Sequence, residues 1–232
     1  MKFWQNAGII IHPIFLLGIE YDNFGQPIIA DSDELFFNDI LQSNFKESHH
    51  NLVEKDYQLL EYYQEKCSHA NFVFKGDDDI LLNPSKAIEK IRNMIADPDI
   101  KLLGCLKVDE FPNTDMTKKY YVPPALWAEF EKKEKLVKLY EKGSFQILSK
   151  HEYQKPYPTY PSGAAYFMTR ELMLNVSALK NKTPKIYLDD VNFGILLEKA
   201  GFSTGKNSVY NILDLQLILL LEYFYLIFMI NI

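Results

Sequence analysis

Cysteines and clustered basic residues are scarce in this sequence, and their scarcity argues against two kinds of site. The 232 residues include only two cysteines, Cys67 and Cys105. They fit no zinc pattern, which would need further Cys or His residues nearby, and their spacing does not decide whether they form a disulfide. The formal net charge is −6, and no tract rich in Lys and Arg occurs. The sequence therefore disfavours a nucleic-acid partner.

A secretory signal peptide is also missing from the first twenty residues. The short apolar stretch there is interrupted by His12 and Pro13, whereas a signal peptide needs a continuous apolar centre. This stretch instead predicts a buried strand near Ile14 to Leu17.

The opposite end of the sequence, residues 211–232, is almost wholly apolar and leaves three alternatives open. It is about long enough to cross a bilayer, which takes roughly 20 residues. Asp214 and Glu222 interrupt it, and no basic residue follows it. A membrane anchor, a buried strand and helix, and a segment foreign to the rest of the domain all fit this pattern.

Between the two ends, strand-like and helix-like segments alternate. With 47% hydrophobic residues, the chain can bury a core, and its length suits one domain. This alternation predicts an α/β domain built around a mostly parallel sheet. The predicted elements are a helix over Asn51–Cys67, a strand at Phe72–Lys75, a helix starting at Asn83 and Pro84, a strand over Ile100–Val108 and a helix from Asp189 to Gly201.

Three consecutive aspartates, Asp77 to Asp79, follow the predicted strand directly after Gly76. Ligands of open α/β sheets bind beyond the carboxyl ends of the strands, and three adjacent carboxylates need a positive partner. Lys75 alternates to the wrong side to serve all three. Mg²⁺ or Mn²⁺ would serve, and such ions commonly bind phosphate oxygens as well. The pattern indicates a nucleotide diphosphate ligand; the alternative is an acidic turn before the next helix.

Five segments, in this order, resemble the β-1,3-glycosyltransferases of glycosyltransferase family 31. The resemblance extends from about Phe15 to Phe202. The segments are "FLLG" (15–18), "NDILQSNFKESHHNLVEK" (38–55), "FVFKGDDDILLN" (72–83), "KKYYVP" (118–123) with "YPTYPSGAAYFMT" (157–169), and "YLDDVNFGILLEKAGF" (187–202).

This resemblance implies a fold, a reaction and a cellular place. The family is similar to GT-A enzymes, with one Rossmann-like α/β domain, which here would comprise residues 1–205 and leave 206–232 as an atypical tail. Members transfer a hexose or N-acetylhexosamine from a UDP-sugar with inversion, forming a β-1,3 linkage on a glycan of a glycoprotein or glycolipid. Their full-length forms are type II proteins of the Golgi membrane with a lumenal catalytic domain.

The resemblance also assigns roles to the three aspartates. Mn²⁺ or Mg²⁺ would be held by Asp79, the last acid of the motif, together with Asp77. Asp77 would also contact the ribose or uracil of the donor. Asp78 is also placed at the donor-binding site, where it would support the turn or a metal-bound water.

A second acidic pair and a glycine complete the implied site. Asp190 would be the general base that takes the proton from the acceptor hydroxyl, with Asp189 beside it and in contact with the donor. Without the resemblance, helix capping explains this pair equally well. Gly163 would let the backbone approach the sugar closely.

Several departures from the family pattern leave a second hypothesis open. Ala164 and Ala165 stand where the family has Gly, and an insert at about 125–149 is longer than expected. Both ends look incomplete: only "KFWQNAG" (2–8), which includes Trp4, would remain of the end of the first helix, and a late metal-binding His has no counterpart. The alternative is a truncated relative that folds, or binds sugar or nucleotide, without transferring sugar.

Overall fold

A computed structural model describes residues 5–28, 39–77, 80, 82–113, 117, 121–122, 156–202, 209–211 and 225–231. Residues 125–149 and Trp4 lie outside this set, so the expectations about them stay predictions. The strands are β1 (Ile10–Tyr21), β2 (Pro27–Ile28), β3 (Ile40–Lys46), β4 (Phe72–Asp77), β5 (Leu102–Lys107), β6 (Tyr160–Thr169), β7 (Val209–Asn211) and β8 (Tyr225–Asn231). The described α-helices are α1 (Leu52–Tyr62), α2 (Pro84–Ala96), α3 (Arg170–Leu179) and α4 (Asp189–Lys199).

The predicted helix ends are confirmed where the sequence carries capping signals. Asn83 precedes α2, and its side chain accepts a hydrogen bond from the backbone N–H of Lys86 at 3.2 Å. Pro84 occupies the first helical position, where no backbone N–H is needed. Gly201 follows α4 with φ +82°, a left-handed conformation that glycine adopts without strain. Local chemistry therefore sets the bounds of these two helices.

Helices cover both faces of the sheet, and the side chains of β4 alternate between the two faces. Val73 packs into the cluster that includes residues of α1, α3 and α4. Phe72 and Phe74 point the other way and pack with α2. Because side chains alternate along a strand, Lys75 and Asp77 lie on the same face as Val73. The α/β class predicted from the sequence is confirmed.

The prediction of a mostly parallel sheet is wrong. The described strands form one sheet in the order β2-β1-β8-β4-β6-β5-β7, with β3 paired to β1. Only the pairs β1–β3 and β5–β7 are parallel, and the other five described pairs are antiparallel. The reason is that β6 and β8 run opposite to β1, β4 and β5 and lie between them. The strand predicted at Phe72–Lys75 is confirmed as part of β4, which lies inside the sheet between β8 and β6.

The last described strand comes from the apolar segment 211–232. Strand β8 pairs with β1 on one side and with β4 on the other, both antiparallel. Its residues Met229 and Ile230 are buried, one in each of the two main clusters. Among the described helices, none is long and apolar enough to cross a membrane. A buried strand, one of the three alternatives, therefore accounts for residues 225–231, and the division of the chain at residue 205 stays a prediction.

The two cysteines are free thiols in the structure. Cys67 lies in the turn that continues α1, whereas Cys105 lies in β5. Burial raises the pKa of the Cys67 thiol, and this favours the protonated, unreactive form. The possible disulfide is thus not formed here.

Candidate active site

Three of the segments singled out in the sequence meet at one edge of the sheet. Strand β4 ends at this edge with Asp77, and the antiparallel β6 begins there. Gly76 pairs with Ala165, so Gly163, two residues earlier in β6, lies beyond the end of β4. The amino end of α4 joins them, because Asp189 reaches Lys75 of β4. Asp77, Gly163 and Asp189 are therefore brought to the same edge.

Lys75 is the charged residue that connects these elements. Its side chain is 1% exposed, and its Nζ lies 2.5 Å from Asp56 Oδ1 of α1 and 3.4 Å from Asp189 Oδ2. Its Nζ also lies 5.6 Å from the centre of the Tyr166 ring. The charge of Lys75 is thus shared by two carboxylates on the helical face, and Asp77, the described member of the three aspartates 77–79, lies on this same face.

Asp190 is half-buried, and its surroundings make it more basic than an ordinary aspartate. Burial, and then the neighbouring charge of Asp189, raise its pKa to about 7, although a hydrogen bond from the Val191 N–H opposes the rise. That bond is 2.8 Å long and ends on Oδ1. A carboxylate with such a pKa is suited to accept a proton near neutral pH.

The start of α4 is held by contacts behind Asp190. The fully buried Asn192 accepts a hydrogen bond from the backbone N–H of Ile186 at 3.1 Å. A separate apolar cluster packs under this turn and includes Leu188, Val191, Ile195 and Tyr157. These contacts define where the two aspartates point from the helix.

Two glycines at this edge have different neighbours. A Cβ built on Gly194 of α4 would lie 2.6 Å from Tyr160 Cβ and 3.0 Å from the carbonyl oxygen of Thr159. A Cβ on Gly163 would meet nothing nearer than Asp189 Oδ2, at 3.7 Å. Gly194 is therefore needed for the close packing of α4 on the start of β6, whereas Gly163 leaves open space beside Asp189.

We expect Gly194→Ala to lower the free energy of unfolding by roughly 1–3 kcal/mol, because the added methyl group forces α4 away from β6. Gly163→Ala is the matched control and should unfold at nearly the parent denaturant concentration. Urea denaturation of the two variants measures both effects. Equal stability of Gly194→Ala and the parent would contradict the packing described.

The metal prediction rests mainly on residues that the structure does not describe. Asp78 and Asp79 lie outside the described residues. Asp77 is half-buried, lies on the face of Lys75 and ends β4. Within the described ranges no three His, Cys, Asp or Glu residues are grouped closely enough to hold a metal. The carboxylate of Asp77 is one oxygen donor of the type that Mg²⁺ and Mn²⁺ prefer, and the assignment of the metal to Asp79 and Asp77 stays a prediction.

The sequence interpretation missed Asp56. It is buried on the same side of α1 as Val53 and Leu60, positions that the helical period places together. An ionisable residue on an otherwise apolar helix face was the available signal, because such residues are rarely buried without a partner. Burial raises the pKa of Asp56 to about 6, and the charge of Lys75 opposes the rise.

The sequence matches a family model described as Galactosyltransferase over residues 2–208. It is 27% identical over 191 residues to N-acetyllactosaminide beta-1,3-N-acetylglucosaminyltransferase 4 of Homo sapiens, covering 82% of this chain and 43% of that protein. It is 25% identical over 204 residues to Beta-1,3-galactosyltransferase 1 of Mus musculus, covering 88% of this chain and 55% of that protein. A third relative is UDP-GlcNAc:betaGal beta-1,3-N-acetylglucosaminyltransferase 7 of Mus musculus. It is 26% identical over 205 residues, covering 85% of this chain and 45% of that protein. The chain spans about half the length of these relatives. Because the family match covers most of the chain, the protein belongs to the galactosyltransferase family.

Proposed function

We propose that the protein is a metal-dependent inverting glycosyltransferase. It moves a hexose or N-acetylhexosamine from a UDP-sugar to a hydroxyl group of a glycan, forming a β-1,3 linkage. One observation carries most weight: Asp190, with its pKa raised to about 7, lies in the first turn of α4, which the contact of Asp189 with Lys75 joins to β4. A GT-A-like arrangement of donor and acceptor across this edge agrees with the general placement of ligands at strand ends.

In this reaction Asp190 acts as the general base. It takes the proton of the acceptor hydroxyl while the acceptor oxygen forms its bond to the anomeric carbon. The bond from that carbon to the diphosphate breaks on the opposite face, and UDP leaves with the electron pair. The amino end of α4 partly opposes the effect of burial, which raises the pKa of Asp190, and so helps the carboxylate to be ionised before it takes the proton.

Asp79 and Asp77 would hold Mn²⁺ or Mg²⁺, with Asp78 supporting the turn or a metal-bound water. The bound ion would supply positive charge that stabilises the leaving diphosphate. The contacts of Lys75 support a role for a bound cation, because Asp56 and Asp189 already share the positive charge of this lysine.

The remaining residues would contact the donor. Asp77 would also face the ribose or uracil, and Asp189 would contact the sugar beside Gly163. The open space next to Gly163 supports this placement, since a sugar ring could approach the backbone there. Ala164, at a position where glycine is usual, would narrow the sugar pocket, whereas Ala165 is buried in the cluster that packs with α2 and lies away from the pocket.

The names of the relatives support galactose or N-acetylglucosamine as the transferred sugar. The acceptor would be a glycan on a glycoprotein or glycolipid. The full-length protein would work at the Golgi membrane with its catalytic domain in the lumen, as a type II membrane protein.

We expect UDP to bind in the presence of Mn²⁺ and to lose most of its affinity in chelator, because the diphosphate would otherwise face several carboxylates. Titration calorimetry with and without Mn²⁺ measures this difference. Asp79→Ala should remove the dependence on the metal, and Asp99→Ala, at an exposed acid after α2, serves as the control. Equal binding in chelator would refute the metal assignment. Binding without transfer of either galactose or N-acetylglucosamine to any glycan acceptor tested would identify a non-catalytic relative, and absence of UDP binding would overturn the proposed function.

A further inference from the structure

A buried chain of three charged side chains joins α1, β4 and α4. Lys75 lies in the middle, with Asp56 on one side at 2.5 Å and Asp189 on the other at 3.4 Å. Their side chains are 1%, 5% and 14% exposed, in that order. The three residues are far apart in sequence, so this contact is made only in the folded domain.

The two contacts of Lys75 differ in tightness. Asp56 is the closer and more buried partner, whereas Asp189 is the more distant and more exposed one. Because a buried charge is tolerated only when it is compensated, Lys75 needs Asp56 and draws Asp189 toward β4. Asp189 precedes Asp190 directly in α4. The ion pair between Lys75 and Asp189 thus ties the first turn of the helix to the end of the strand.

We propose that Lys75 and Asp56 are positioning residues for sugar transfer, which act through Asp189 to hold Asp190 at the end of β4. This role rests on the function proposed above, because it assigns Asp190 the role of base. Neither Lys75 nor Asp56 needs to touch the substrates. Asp56 keeps Lys75 in place, and Lys75 orients the first turn of α4.

The same residues influence the charge state of Asp190. Among the residues that the structure describes, the charged and titratable groups that face it are Asp189 on its own helix, Lys75 on β4, Asp56 on α1 and Tyr157 before β6. Asp189 and Asp56 raise the pKa of Asp190, and Lys75 lowers it. Removing Lys75 and removing Asp56 should therefore shift Asp190 in opposite directions, which a purely structural role would not do.

The test compares Lys75→Met and Asp56→Asn in the full chain. Carboxyl carbon NMR, with the Asp190 signal assigned from Asp190→Asn, follows the titration of Asp190 from pH 4 to 9. We expect the midpoint to rise by about half a pH unit or more in Lys75→Met and to fall in Asp56→Asn, the directions that loss of a nearby cation or anion gives. Lys180→Met is the matched control: Lys180 is also a buried lysine paired to α1, through Glu61 at 3.4 Å, and its removal should leave the midpoint unchanged.

Kinetics give a second measurement on the same variants. The acidic limb of the kcat profile should move with the NMR midpoint, and KM for the UDP-sugar should change less than kcat. Unchanged midpoints, or midpoints that move in the same direction, would overturn the positioning role. If Lys75→Met does not fold, the midpoint measured for Asp56→Asn tests the proposal alone. In that variant Lys75 still has Asp189 as a partner for its charge. A parent chain that transfers no sugar under any condition would refute the proposed function, while the NMR midpoints would still decide whether Lys75 and Asp56 act on Asp190.

Discussion

Asp190→Asn is expected to lower the rate of sugar transfer by roughly 10²- to 10⁴-fold, the usual contribution of a general base. The substitution keeps the size of the side chain and an oxygen that can still accept the hydrogen bond from the Val191 N–H. Affinity for UDP in Mn²⁺ should therefore change little. Steady-state kinetics beside titration calorimetry separates the two quantities.

Glu198→Gln is a suitable control for this measurement, because Glu198 is an exposed carboxylate near the other end of α4. It should transfer sugar at the parent rate. Asp189→Asn should lower the rate of sugar transfer less than Asp190→Asn does, since Asp189 lies beside the base and does not take the proton itself. Transfer by Asp190→Asn at the parent rate would remove Asp190 from the mechanism and leave the acidic pair as the start of a helix.

The same substitution is expected to stabilise the folded protein at pH 8. The pKa of Asp190 is raised to about 7 from an ordinary value of 3.8, so the folded state holds its proton over a range where the unfolded state has lost it. The stability that depends on this group is complete below about pH 4, falls as the pH rises to about 7 and is constant above that. At pH 8 the ionised, half-buried carboxylate lowers the free energy of unfolding by up to a few kcal/mol, at about 1.4 kcal/mol per pKa unit.

Urea denaturation at pH 8 and at pH 5 measures this effect. Asp190→Asn should exceed the parent in stability at pH 8, and the difference should shrink at pH 5. A variant that is less stable than the parent at pH 8 would show that burial of the charged group is not the main cause of the pKa shift. A gain in stability together with a loss of transfer is the pattern expected of a residue kept for its chemistry.

Elements that depend on local chemistry could be predicted from the sequence. Asn83 and Pro84 predict the start of α2, and Gly201 predicts the end of α4, since caps involve neighbouring residues only. Helix faces are less certain: spacing predicts that Ile95 shares a buried face with Ile88 and Ile91, but Ile95 is 50% exposed. Met94 is buried in this helix instead.

The sheet and the inner part of the candidate site could not be predicted in the same way. The order of strands depends on which segments meet in space, and the antiparallel β6 and β8 separate strands that share a direction. The convergence of Asp77, Gly163 and Asp189 was expected from a family resemblance. The contact of Asp56 with Lys75 was not expected, because the helical spacing of α1 indicates only that Asp56 is buried, and its partner is set by how the helix packs on the sheet.

The position of β8 has a consequence for how the chain folds. Strands β1 and β4 are joined through β8, which lies between them, and the paired residues Asp77 and Tyr225 are roughly 150 positions apart. Closing a loop of this length costs only about 1 kcal/mol more than closing a loop one quarter as long. The long separation in sequence therefore slows folding more than it lowers the final stability. Until β8 docks, β1 and β4 each present an unpaired strand edge in the middle of the future sheet. Exposed edges of this kind pair readily with other chains, so the species most prone to aggregation is the one in which both halves have formed and β8 has not yet entered.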